Sequence, residues 1–190
     1  MKKRISLQDL LAALCAFFLS ACTTDYSDAM IEEELEGTPS FILVNFRETA
    51  VEKGAPAYRV EGERAESYED KKTTVIKNLI FTEYGQNAAV ASEGSAGRAT
   101  HYRDNDNILF EEMLRLNAVE QGFYIEGDYF YWDSGGRSLT GSSDGTVTLI
   151  RDDGSYITGT GFRSNASDRS FSFEKSAEGI YSEKDADEDM

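Results

Sequence analysis

The stretch 123-FYIEGDYFYWDSGGRSLTGSSDGTVTLIRDDGSYITGTGF-162 decides the fold class. Apolar or aromatic residues alternate with polar ones in Phe123–Trp132, Thr146–Ile150 and Tyr156–Phe162, with β-branched and aromatic types in excess. Alternation of period two marks strands with one face buried. Between them lie Ser134-Gly135-Gly136, Asp144-Gly145 and Asp153-Gly154. Asp-Gly is a favoured hairpin pair because a positive φ costs little there. No run with a helical period interrupts Phe41–Tyr181; "FILVNF", "AYRVEG", "TVIKNLIFTEY", "NILFEEMLRLN" and "SFSF" continue the strand pattern. The chain reads as all-β.

Self-similarity extends the reading. Gly62, Gly94, Gly127 and Gly159 are separated by 32, 33 and 32 residues, each between an apolar strand and a polar or aromatic one. The last two copies agree best, aligning Tyr124 with Tyr156, Ile125 with Ile157, Phe130 with Phe162, Arg137 with Arg169, and Leu139 with Phe171. The expectation is an elongated, folded double sheet built from repeats of about 32 residues, paired edge to edge. A glycine inside a strand marks a bulge or a sharp bend, so Gly62, Gly94, Gly127, Gly159 and Gly161 are assigned structural roles. The inward positions expected from alternation are Val60, Ala65, Phe81, Leu109, Leu116, Ile125, Phe130, Trp132, Leu149, Ile157, Phe162 and Phe171. Each is open to two roles, packed core or the wall of an apolar trough.

The amino terminus follows a different pattern. Lys2, Lys3 and Arg4 precede an apolar run from Leu10 to Leu19, too short to cross a bilayer, which takes roughly 20 residues. It fits the middle of an export signal, residues 1–21, and Leu19-Ser20-Ala21-Cys22 matches the bacterial lipobox. Cleavage before Cys22 would remove Cys15, lipidate Cys22 and leave a membrane-anchored protein outside the cytoplasm. The competing reading is a buried N-terminal helix with two incidental cysteines. Residues 22–39 read as an acidic linker, 40–182 as the β domain and 183–190, "EKDADEDM", as an acidic, disordered tail.

Charge and missing chemistry narrow the function. The chain carries a net charge of −16, and removing the first 21 residues, with their three cations and Asp9, takes it to −18. Such a surface argues against nucleic acid and against a broad contact with anionic lipid. The single histidine, His101, reads as structural at a strand end, and no Cys/His set for zinc is present. Asp104-Asn105-Asp106-Asn107 faintly suggests calcium, but lacks the glycine and terminal glutamate of an EF-hand loop and reads better as a turn. "GSSDG" and "GGRSLTG" read as turns, and a carboxylate pair carries little weight among 35 acidic residues. No metal, cofactor or catalytic residue is assigned; the chain is not expected to be an enzyme.

"FILVNFRETAVEKGAPAYRVEGERAESYEDKKTTVIKNLIFTEY" resembles the opening of LptC-like (OstA-like) domains. Phe130-Tyr131-Trp132-Asp133, Arg137-Ser138-Leu139-Thr140-Gly141, Val147-Thr148-Leu149 and Gly159-Thr160-Gly161-Phe162 follow the order of motifs at that domain's end. The resemblance covers about Ser40–Tyr181. It implies a β-jellyroll, or folded β-taco, whose hydrophobic groove shields the acyl chains of lipopolysaccharide or a related glycolipid. It also implies inner-membrane ABC transporter subunits as partners, and an LptA-like periplasmic shuttle joined edge to edge at the C-terminal strand. Many members carry an N-terminal transmembrane helix where this chain has its lipobox. A scaffold lipoprotein that conducts nothing is the alternative, and an unrecognised carbohydrate-acting enzyme a third. A strongly anionic protein handling a phosphorylated lipid is a tension that Arg98, Arg103, Arg137, Arg151, Arg163 or Arg169 would have to relieve locally.

Overall fold

A computed structural model describes residues 37–182. The export signal, Cys22 and the acidic tail lie outside the described residues. Twelve strands form one antiparallel sheet: β1 (Phe41–Glu52), β2 (Ala55–Tyr68), β3 (Thr73–Tyr84), β4 (Val90–Tyr102), β5 (Asn107–Ala118), β6 (Phe123–Asp133), β7 (Ser138–Gly141), β8 (Thr146–Arg151), β9 (Tyr156–Thr160), β10 (Phe162–Asn165), β11 (Ser170–Phe173) and β12 (Ala177–Ile180). Short 3₁₀ turns at Gln86–Ala88 and Val119–Gln121 link β3 to β4 and β5 to β6. No described helix is long and apolar enough to cross a membrane.

From β1 to β6 the chain is a simple meander. Beyond β6, each long rung is made of two short strands. β7 pairs with Phe130–Asp133 and β8 with Phe123–Gly127 of the same strand, β6. β10 and β9 then continue these two halves, and β11 and β12 close them. Ser142–Gly145 therefore joins two halves of one rung, and Asp144-Gly145 does not close a hairpin as the sequence suggested. Asp153-Gly154 does: Gly154 has φ +85, and the turn connects β8 to β9.

The interruption between β7 and β8 is one point on a crease that crosses every rung. β1 passes it at Asn45 (φ 49), β3 at Asn78 (φ 50), β5 at Glu112 and Met113 (φ 61 and 65), and the β9–β10 rung at Gly161 (φ 69). The ladder skips there: Arg98 pairs with Glu111 and Ser95 with Arg115, while Glu111 pairs with Tyr129 and Leu114 with Gly127. Asparagine and glycine enter the left-handed region cheaply; Glu112 and Met113 cost about 1–2 kcal/mol each by being there. The crease divides the sheet into two arms that fold onto one another. Ile76, from one arm, lies 2.9 Å from where a Cβ on Gly62 of the other would stand. Phe81 and Phe110 meet across it with ring centroids 6.0 Å apart.

The register identifies the inner face. Beside the crease on one arm runs the row Ala65, Ile76, Ala99, Phe110, Phe130, Gly141, continued on β10 and β11 by Phe162 and Phe173. The row beside the crease on the other arm is Gly62, Leu79, Ala96, Leu114, Gly127, Val147, Gly159. These residues supply most of the hydrophobic core, with Phe130, Phe162, Leu114 and Val147 fully buried. The glycines mark close approach. A Cβ on Gly127 would stand 2.8 Å from the Phe130 ring, and one on Gly94 would meet the Arg115 carbonyl at 2.5 Å and the Phe81 ring at 2.6 Å. Gly94 is nevertheless out of step with the other three. The residue in the row of Gly62, Gly127 and Gly159 on β4 is Ala96, and Gly94 lies one row further out, in register with Phe81 and Leu116. The even glycine spacing is thus not an even structural repeat.

Candidate lipid-facing site

A second inner row runs on each arm, further from the crease. On one arm it is Val60, Phe81, Gly94, Leu116, Ile125, Leu149 and Ile157, each in register with the next across β2, β3, β4, β5, β6, β8 and β9. Six of the twelve positions expected from alternation fall in this one row. On the other arm the corresponding row reads Ser67, Thr74, His101, Ile108, Trp132, Leu139, Ser164 and Phe171. Ala65, Phe130 and Phe162 belong to the row beside the crease.

Leu109 is a correction. It registers with Thr100 and Tyr131, one residue out of phase with Ile108 and Phe110, and so occupies the outer face. Successive side chains on a strand point to opposite sides, so a shift by one residue reverses the face. A second correction concerns which inner residues have surface left for a ligand. Phe130 and Phe162 are 0 % exposed, Ile125 and Leu149 3 %, and Ala65 6 %. Phe130 packs edge-to-face on Phe162 at 6.0 Å, and Phe162 on Phe173 at 5.5 Å. These five are packing residues in this structure. Val60, Phe81, Leu116, Trp132 and Ile157 are only partly buried against that core, and Phe171 is 42 % exposed. The inner wall with accessible apolar surface is formed by these, joined by Ile108, which the sequence reading passed over.

The outer face is a ladder of charged and polar pairs. Arg47 and Glu61 are 2.9 Å apart, Arg115 and Glu126 3.3 Å, and Arg98 and Glu111 3.7 Å, while Arg103 and Glu69, 2.9 Å apart, tie the β4–β5 turn to the β2–β3 turn. Glu66 accepts from Arg64 Nε at 2.6 Å and from the Tyr68 hydroxyl at 2.8 Å, and the Arg64 bond foremost holds its carboxyl below the usual range. Opposed charges on neighbouring strands fix register more than they stabilise, since exposed pairs are worth well under about 1 kcal/mol.

The Asp104–Asn107 segment is a turn that uses its own polar atoms. Asp104 pairs with Lys72 at 3.1 Å, Asn105 Oδ1 accepts from the Asn107 amide at 3.0 Å, and Asp106 meets His101 Nε2 at 3.2 Å. Asn107 donates to the Tyr131 hydroxyl at 2.7 Å and accepts from the Ser134 amide at 2.9 Å. His101 is thus tied to its own hairpin.

The edges complete the geometry. β1 is paired on one side only, and so is the β11–β12 rung. Both carry exposed apolar side chains: Phe41 56 %, Val44 60 % and Val51 62 % on β1, and Ile180 60 % on β12.

A folded antiparallel sheet with an apolar inside and unpaired terminal rungs is the setting for the comparison with known families. The family described as "Lipopolysaccharide-assembly, LptC-related" matches residues 10–182. The chain belongs to the LptC family. Members of this family are non-enzymatic, periplasmic, inner-membrane-associated components of lipopolysaccharide transport. No curated protein matches the chain. The all-β jellyroll expected from the resemblance is the fold observed.

Proposed function

We propose that this chain is a lipid-anchored, periplasm-facing member of the lipopolysaccharide export path that shelters acyl chains between the two arms of its sheet. The observation that carries the reading is the half-buried apolar wall made by Val60, Phe81, Leu116 and Ile157 on one arm and Ile108, Trp132 and Phe171 on the other. Each CH₂ withdrawn from water against such a wall is worth about 0.8 kcal/mol, enough to hold an acyl chain reversibly while its headgroup remains in solvent. Cys22, acylated after export, would supply the anchor; several acyl chains retain a domain far better than one. Transfer would run along the sheet, from inner-membrane ABC transporter subunits to an LptA-like shuttle added as a strand at the unpaired β11–β12 rung.

The scaffold reading is favoured by one feature. On β6, β7 and β8 most of the second inner row is itself closed, with Ile125, Leu139 and Leu149 at 3, 5 and 3 % exposure. There a chain would have to pass over Trp132, the half-buried member of that row, or displace packed residues. Photo-crosslinking in the native envelope separates the two readings. A photoreactive residue at Phe81, Ile108, Leu116 or Trp132 is expected to capture glycolipid, and one at Leu109 or Tyr131 on the outer face is not. Capture at none of the inner positions, with the protein folded and membrane-bound, would leave the scaffold.

A further inference from the structure

The tension between an anionic protein and a phosphorylated lipid has a local resolution. Of the six arginines named in the sequence analysis, Arg98, Arg103 and Arg163 are engaged by Glu111, Glu69 and Glu174. Arg137 and Arg169 are exposed, and neither has a side-chain partner among the described residues, whereas Arg151 registers with Phe123 on the other arm. They occupy matching places. Arg137 ends the β6–β7 turn and Arg169 the β10–β11 turn, each directly before a strand whose first residue, Ser138 or Ser170, registers with Asn165 of β10. β7 and β11 flank β10, so the two backbones stand two strand spacings apart, about 10 Å. The Ala166 amide donates to the Arg137 carbonyl at 2.9 Å and locks the turns together.

Two further features set these arginines apart. Both are in the left-handed region, φ 50 and 51, at a turn position where glycine or asparagine is the cheaper choice. Both also border the accessible apolar wall: Trp132 registers with Leu139 on β7, and Phe171 lies on β11. Nearby acids are few. Asp133 curls under its own turn, its Oδ2 2.5 Å from where a Cβ on Gly136 would stand, and Asp168 lies beside Arg169. Segments 133–141 and 161–174 hold Arg137, Arg163 and Arg169 against Asp133, Asp168 and Glu174, with Glu174 taken up by Arg163, so this corner is charge-balanced in a chain of net charge −16.

Resting on the lipid-sheltering reading, we infer that Arg137 and Arg169 form a phosphate-binding pair at the rim, engaging the anionic headgroup of a glycolipid whose acyl chains lie on Trp132 and Phe171. A guanidinium pair offers charge-assisted hydrogen bonds that a carbohydrate hydroxyl does not match. The pair sits next to the unpaired β11 edge, so a headgroup held there is at the end of the sheet where a partner would be added.

Trp132, the chain's single tryptophan, provides the assay, because its fluorescence reports an acyl chain arriving beside the pair. The full-length protein in detergent micelles is titrated with a disaccharide glycolipid carrying two phosphates, with the same lipid after dephosphorylation, and with inorganic phosphate alone. The phosphorylated lipid should bind about tenfold tighter than the dephosphorylated one, and Arg137→Asn/Arg169→Asn should abolish that difference. Asparagine suits the left-handed turn, so the variant's thermal midpoint should be unchanged or higher. Equal affinity of the wild type for both lipids would overturn the pair and leave the groove standing. Equal loss of both lipids in the variant would assign the arginines to the wall's structure. Inorganic phosphate binding as tightly as the lipid would make this a site for the free anion. No response to either lipid would remove the groove reading and the pair together.

Discussion

Phe130→Ala tests the division between packing and wall. Phe130 is 0 % exposed, packs on Phe162 at 6.0 Å and covers Gly127, so its removal leaves a cavity at the crease that neighbouring strands cannot fill. Truncating a buried aromatic costs about 3–5 kcal/mol, which lowers the thermal midpoint of a domain of this size by on the order of 10 °C. Trp132→Ala, two residues along the same strand and half-buried, removes less enclosed surface and should cost about 1–2 kcal/mol. Glycolipid retention should move the other way. Phe130→Ala that remains folded at low temperature should hold lipid nearly as well as wild type, and Trp132→Ala should hold it about tenfold less well. Circular dichroism melts give the first quantity, and co-purified glycolipid measured by mass spectrometry gives the second. A Phe130→Ala variant of unchanged midpoint that had lost its lipid would refute the assignment of the crease row to packing.

Four further outcomes follow, three from this geometry and one, at Cys22, from the lipid anchor proposed on the sequence. Gly94→Val should destabilise by about 1–3 kcal/mol, because the added carbons meet the Arg115 carbonyl and the Phe81 ring; chemical denaturation measures it. Glu66 gives a pH dependence of known sign: its folded-state pKa is depressed, so its contribution is present above the unfolded value, near 4.5, and is lost as pH falls through the folded one. Glu66→Gln should therefore flatten the loss of stability on acidification below about pH 4.5, as read from midpoints at several pH values. Cys22→Ser should move the protein from the membrane to the soluble periplasmic fraction, scored by fractionation and by the absence of acyl mass. A photoreactive residue at Ser172, on the unpaired β11 edge, should capture a partner of the same fold, and one at Thr148, inside the sheet on β8, should not.

Alternation along the chain determined the two faces of this sheet, because side chains on a strand have no choice but to alternate. Val60, Phe81, Leu116, Ile125, Leu149 and Ile157 could be placed on one side before any coordinates, and they form one unbroken inner row with Gly94 among them. Leu109 failed where the phase was ambiguous: Ile108, Leu109 and Phe110 are consecutive and all apolar, and only pairing with β4 and β6 shows which two point inward. The crease was illegible for a different reason. Asn45 and Asn78 are weak signals of a left-handed residue, Glu112 and Met113 are none, and their alignment across rungs is a property of the register. Which apolar residues seal the core and which remain as wall depends on how closely the opposite arm approaches. Whether an arginine is paired or free depends on which residue the next strand sets beside it. Both are long-range facts, decided when the arms close on one another, and local pattern holds no record of them.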